Sequence, residues 1–173
     1  DVAVGDLDRT DDATADLVAG WSRGPRLAVP DRRLPDLVAD GLAADPSAVA
    51  LRHGDRILDG RSFGAHVAGL ARRLIDLGVG PDVAVAVRIP RTIEMIVAVH
   101  AVIAAGGHAV PIDPAAPADR VEYVCATASV ARMLIVDDTT GSPVPTTVVD
   151  CSGPVPDTTP VTDDDRITPL RGA

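Results

Sequence analysis

Lysine, asparagine and glutamine are missing altogether from the 173-residue chain, so all 16 of its basic side chains are arginines. A fold seldom forbids three surface residue types at once, and the gap reads as a compositional bias of the coding sequence. Its chemical consequence is definite: no side chain here can form a Schiff base or supply the point-charge ammonium of a phosphate-binding loop. Aromatic residues make up only 2% of the chain, which removes the stacking platforms that single-stranded nucleic acids need. Positive charge is also scarce, the formal net charge being −9, and that balance argues against nucleic acid and against an anionic membrane as partners. The two cysteines, Cys125 and Cys151, lack CxxC spacing, so neither a disulfide framework nor a zinc site is expected, and a reducing cytoplasmic setting fits. No positively charged stretch precedes an apolar run at the start, as a secretory signal would require. The longest apolar run, Ile93 to Ala105, is broken by His100 and is too short to cross a membrane.

What is present is a regular alternation. After a short helix-start pattern at Asp11-Asp12 leading to Trp21, the glycine and prolines of "SRGPRLAVPDRR" punctuate a linker. Leu34, Leu37, Val38 and Leu42 then share one helical face that Pro46 ends. "AVALRHGDRIL" reads as a hairpin turning at His53-Gly54-Asp55. Phe63, Val67, Leu70, Leu74 and Leu77 mark another helix, with Gly78 just past its end as a cap. Beyond it come the apolar run "VAVAVRI", a helix apolar nearly all round, the short buried strand "HAVPID", the helix "PADRVEYVCATA" and the strand "ARMLIVDD". Strand, helix, strand, helix, strand predicts an α/β fold with a mostly parallel sheet and helices on both faces. From Thr139 the chain loosens into an acidic Thr/Pro-rich segment in which only "TTVVD" has the look of a strand.

The chemical candidates dissolve on inspection. A dinucleotide loop needs glycines after a strand and before a helix, where the helix N-terminus presents amides to phosphate. Gly106-Gly107 stands after a helix and before a strand, at the wrong end of the dipole, and reads as a helix cap with tight packing. There is no GxGxxG and no GxxxxGK[ST]. His53, His66, His100 and His108 have no metal-site spacing; His100 reads as a core or inter-helix residue and His53 as a turn residue. The carboxylates of Asp137 and Asp138 point to opposite faces if both extend a strand. Asp113 stands at a strand's C-terminal edge, where α/β sheets bind ligands, but Pro114 suits a turn boundary equally well.

In the order of its elements and the wording of "LPDLVADGLAADPSAVALRHGDRIL" and "VAGLARRLIDLGVGPDVAVAVRIPRTIEMIVAVHAVIAAGGHAVPIDPAAPADRVEYVCATA", the chain resembles the N-terminal part of an adenylation domain of nonribosomal peptide synthetases, in the AMP-forming acyl and aminoacyl ligase superfamily. Collinear features include the Gly78-Val79-Gly80-Pro81 turn, Pro90-Arg91, Ala105-Gly106, Pro111, Asp113-Pro114, Pro117 and Arg120. Residues 1–22, with "VGDLD" and a helix ending at Trp21, are similar to the end of a condensation domain and the linker after it.

The resemblance implies residues 1–33 as condensation-domain tail and linker, 34–138 as a partial adenylation core and 139–173 as the acidic segment. Two motifs depart from the family. Leu58-Asp59-Gly60-Arg61-Ser62-Phe63 stands where the family has Leu-Thr/Ser-Tyr-x-Glu-Leu, and Ala104 and Ala109 stand where it has Lys and Tyr. The chain stops about where the family's Ser/Thr/Gly-rich phosphate loop begins, so no catalytic, cofactor-binding or metal residue carries over to it. ATP and magnesium are implied for the complete domain and none for this segment. The implied partners are neighbouring synthetase domains, condensation and carrier protein.

Two functions follow from this reading: a truncated, non-catalytic spacer or docking platform, or the N-terminal portion of an active amino-acid ligase completed by further segments. An unrelated small nucleotide-binding α/β domain is the third, opposed by the lack of a glycine-rich strand-to-helix turn. Truncation further predicts an open sheet edge or apolar face, with the tail from Thr139 as its cover.

Overall fold

The computed structural model describes residues 11–25, 28, 32–137, 141–155 and 159–170. The chain divides into two units between Asp31 and Arg32. In the first, helix α1 (Asp12–Ser22) begins where the Asp11 carboxylate accepts a 2.7 Å hydrogen bond from the Thr14 amide. None of its residues is buried, and Leu17, Val18 and Trp21 are exposed. The turn expected at Gly5-Asp6 lies outside the described residues.

The second unit starts with α2 (Leu34–Ala44), whose Pro35 sits in the first turn, where a missing amide costs no hydrogen bond. The hairpin of β1 (Val49–His53) and β2 (Arg56–Asp59) follows, turning at Gly54, whose φ of +58° suits glycine. Then come α3 (Gly60–Asp76), β3 (Ala84–Val87), α4 (Ile93–Ala104), β4 (His108–Pro111), α5 (Ala118–Thr127), β5 (Val130–Ile135) and β6 (Thr146–Val148). Strands β3 to β6 form one four-stranded sheet in the order β4-β3-β5-β6, with every neighbouring pair parallel.

Strand β3 is central and wholly buried, so it is apolar throughout rather than alternating. Its side chains still divide by parity: Val85 and Val87 join the core under α3 and α4, while Ala84 and Ala86 join the core under α5. Adjacent β5 residues split likewise, Leu134 to the first core and Met133 to the second. Helix α4 has no exposed residue, as its nearly uniform apolar sequence requires.

Both core helices on the first face end in the same way. Gly78 (φ +87°) follows α3, and the amides of Gly78 and Val79 close back on the Ile75 and Leu74 carbonyls at 2.9 Å. Gly106 (φ +93°) follows α4, with the amides of Gly106 and Gly107 on the Ile103 and Val102 carbonyls at 3.0 Å. At Gly107 the demand is for space as well: a Cβ would lie 2.7 Å from Val79 Cγ1 and 3.0 Å from the Val83 carbonyl oxygen.

Two expectations change. The run "HAVPID" is not buried along its length: β4 is an edge strand, and His108 and Pro111 are exposed. The acidic segment does cover the outer edge of β5, and Val149, Cys151 and Val161 pack on the first core, but it leaves a new edge in place of the old one. Its β6 pairs with β5 and becomes the other edge, and among the described residues neither β4 nor β6 has a strand on its outer side. Residues 159–170 instead lie on the helix side. Arg166 Nε donates to the Ala104 carbonyl at 2.7 Å, a cation at the C-terminal end of the α4 dipole. Asp163 pairs with both Arg166 and Arg33, and Arg33 also reaches Asp36 and the Leu170 carbonyl. The two arginines hold the Asp163 carboxyl below its usual range, Arg33 contributing the larger share.

Candidate functional site

A nucleotide site in this architecture would need anion-holding amides at a helix N-terminus beside the strand ends. Gly106-Gly107 is excluded by its place at a helix C-terminus, as the sequence indicates. The N-termini of α3, α4 and α5 carry Asp59, Glu94 and Asp119 respectively. At α3, Asp59 accepts a 2.8 Å bond from the Ser62 amide, taking up a donor that phosphate would use. At α4, Glu94 is buried and pairs with Arg56 at 2.7 Å. At α5, Asp119 stands in the first turn and the N-cap residue Pro117 makes no side-chain cap. Among the described residues no group of three or more His, Cys, Asp or Glu side chains is placed to hold a metal ion.

At the C-terminal ends of β3 and β4, Arg88 and Asp113 make structural contacts. Asp113 Oδ1 accepts a 2.9 Å bond from the Ala115 amide and the Asp113 carbonyl accepts from Ala116 at 2.9 Å, the contacts of a turn. Arg88, leaving β3, ties that turn to the sheet through Nη2 to the Pro114 carbonyl at 2.9 Å. Asp137 is exposed after β5, and Asp138 lies outside the described residues.

His100 packs edge-on to Phe63 of α3, with ring centroids 5.4 Å apart, and burial lowers its pKa. It is an inter-helix contact, as expected. His66, on α3, borders a second polar region with Asp150 and Cys151 near the Arg56–Glu94 pair. Burial pushes Glu94 upward, but hydrogen bonding, from Arg56 foremost, outweighs it and leaves the carboxyl below its usual value. Cys151 is a free thiol pushed up to about 11, by burial first and the Glu94 charge second, which makes it a poor nucleophile. Cys125 is also free and buried, and burial raises its pKa too.

Sequence reasoning missed the Arg56–Glu94 pair, which joins residues far apart in the chain and leaves no periodic trace. It also read Asp59-Gly60-Arg61-Ser62 only as a departure from a family motif. The spacing of an aspartate three residues before a backbone donor at a helix start would have disclosed the cap.

Of the helix starts of α3, α4 and α5, that of α3 has a side-chain cap, while the N-cap residues of α4 and α5, Thr92 and Pro117, make none. Residues 38–171 match the family of AMP-binding enzymes, and the chain belongs to that family. Over 148 residues it is 38% identical to the probable non-canonical nonribosomal peptide synthetase CymA of Salinispora arenicola, a match covering 79% of this chain and 2% of that protein. The structure superposes on the nonribosomal peptide synthetase FmoA3, solved with α-methyl-L-serine-AMP bound, with a TM-score of 0.75 and 24% identity over 91% of this chain and 18% of that one. It also superposes on an artificially fused adenylation–PCP di-domain from Klebsiella oxytoca with a TM-score of 0.62 and 23% identity over 66% of this chain and 22% of that one. The segment corresponds to the N-terminal part of a nonribosomal peptide synthetase adenylation domain, and its four-stranded parallel sheet with helices matches that subdomain. It spans only a small share of the relatives it matches, from 1% to 9% of their length. Among the described residues no helix is long and apolar enough to cross a membrane.

Proposed function

We propose that these residues are the structural opening of an adenylation domain and carry no reactive group of their own. They serve as a spacer or docking platform between synthetase domains in the cytoplasm, with residues 1–33 as the tail of a condensation domain and its linker. The observation that carries this reading is that Glu94, at the start of α4, is buried and paired with Arg56, and Asp119 stands in the first turn of α5, so each of these helix starts already holds a carboxylate at the end that favours an anion. The absence of lysine from the sequence supports it.

A second reading is favoured by one feature. Asp59 still caps α3, so the altered motif keeps its structural role. The same scaffold would then belong to a domain that converts a carboxylate and ATP into an acyl adenylate and pyrophosphate and passes the acyl group to a carrier-protein thiol, the ATP- and magnesium-binding groups coming from other segments.

Amino-acid-dependent ATP–pyrophosphate exchange separates the two. The 173-residue chain alone is expected to give no exchange with any amino acid, and exchange by the chain alone would overturn both readings. Exchange by the natural protein that contains this segment, lost on deleting it, would establish the second reading over the first.

A further inference from the structure

Helices α2, α3 and α4 enclose a cavity of about 440 Å³, partly open to solvent and within the usual size of small-molecule sites. Leu34, Val38 and Leu42 of α2 face Gly64 and Ala68 of α3 and Ile103 of α4 across it, and no strand residue lines it. It is therefore separate from the strand ends considered above.

Its charge is unusual for this protein. The chain carries a net −9, yet no acidic residue lines the cavity, and its titratable lining is Arg61, His100 and Arg166. Arg166 is committed to Asp163 and the Ala104 carbonyl. His100 is committed to Phe63, and its lowered pKa leaves it neutral near pH 7. Arg61 is exposed and has no ion pair among the described residues. Asp59 feels its charge, but that carboxylate is already engaged by the Ser62 amide.

The space also has a shape. At Gly60 the wall is close: a Cβ there would lie 3.3 Å from the Pro46 carbonyl oxygen, 3.4 Å from the Asp45 carbonyl oxygen and 3.4 Å from Leu42 Cδ2, so a large side chain at this position would press against the wall and crowd the cavity, although Gly60 has no positive φ that demands glycine.

We propose that the cavity is a binding site for a small carboxylate with an apolar tail. The tail lies against Leu34, Val38 and Leu42 of α2, and the carboxylate meets the guanidinium of Arg61.

The test is calorimetric titration of the 173-residue chain with 4-phenylbutyrate and, in parallel, with the neutral 4-phenylbutan-1-ol. The acid is expected to bind saturably and about tenfold more tightly than the alcohol, the size of a single charge-assisted contact. Arg61→Met should abolish that difference, and Gly60→Phe should abolish binding of both by filling the space. If Gly60→Phe does not fold, Gly64→Leu fills the same space from one turn along. Absence of saturable binding, equal affinity for acid and alcohol, or binding unaffected by the filling variants would overturn the proposal. Self-association lost in Gly60→Phe without any carboxylate binding would assign the cavity to a second copy of the chain and overturn it too.

Discussion

The two faces of the parallel sheet are finished very differently. Under α3 and α4 the described core joins residues from both helices, from β3 and β5, and from the segment around Val149 and Cys151. Under α5 the core is smaller, resting on Val121 and Cys125 of one short helix against Ala84, Ala86, Met133 and Ile135. Buried apolar area is the main stabilising term, and a site with fewer neighbours can relax more completely around a deletion. The thick face therefore holds the fold together, and the thin face should answer perturbation more softly.

Adjacent positions on β5 test this most severely. Leu134 and Met133 are both fully buried and point to opposite faces. Leu134→Ala should lower unfolding free energy by about 4 kcal/mol and Met133→Ala by about 2 kcal/mol, both within the range for large-to-small core changes. Urea denaturation with unchanged m-values checks the pair, and equal losses would erase the distinction between faces. Gly107→Ala presses on the thick face from within, because its Cβ meets Val79 and the Val83 carbonyl, and should cost about 2 kcal/mol by overpacking. A loss near that of an exposed glycine would mean that the α4–β4 corner has slack.

Acid should act through the thick face as well. Glu94 is depressed in the folded protein, so its contribution is present above its ordinary pKa of 4.5 and disappears as pH falls through the lowered value. Glu94→Gln should cost about 1 kcal/mol at pH 7, a modest figure because Arg56 is half exposed, and should flatten the acid limb of the stability profile. An unchanged acid limb would remove the pair from the account. The smallest effect compares the thiols: iodoacetamide at pH 8 should modify Cys125, on the thin face, before Cys151, whose pKa is pushed up to about 11. The reverse order in mass spectra would invert the ranking of the faces.

Much of this architecture is visible in the sequence because it is local. The alternation from Val83 onward, the hairpin at Gly54 and the caps at Gly78 and Gly106 all follow from periodicity and from backbone needs within a few residues. His100 reads correctly as an inter-helix residue for the same reason. The Arg33 contact of Asp163 and the Arg166 cap on α4 do not, since they join residues 130 and 62 positions apart and depend on where the tail returns. Nor does periodicity place β4 at an edge, because an apolar run is compatible with either place until strand order is known. The cavity beside Gly60 is equally hidden, arising from small residues on three helices that are brought together only by packing.

The most direct measurement is calorimetric titration of the 173-residue chain with ATP in the presence of magnesium. No saturable heat is expected, since the helix starts near the strand ends are occupied by carboxylates and their partners. Saturable binding at one site per chain would contradict the scaffold reading and place a nucleotide site within these residues.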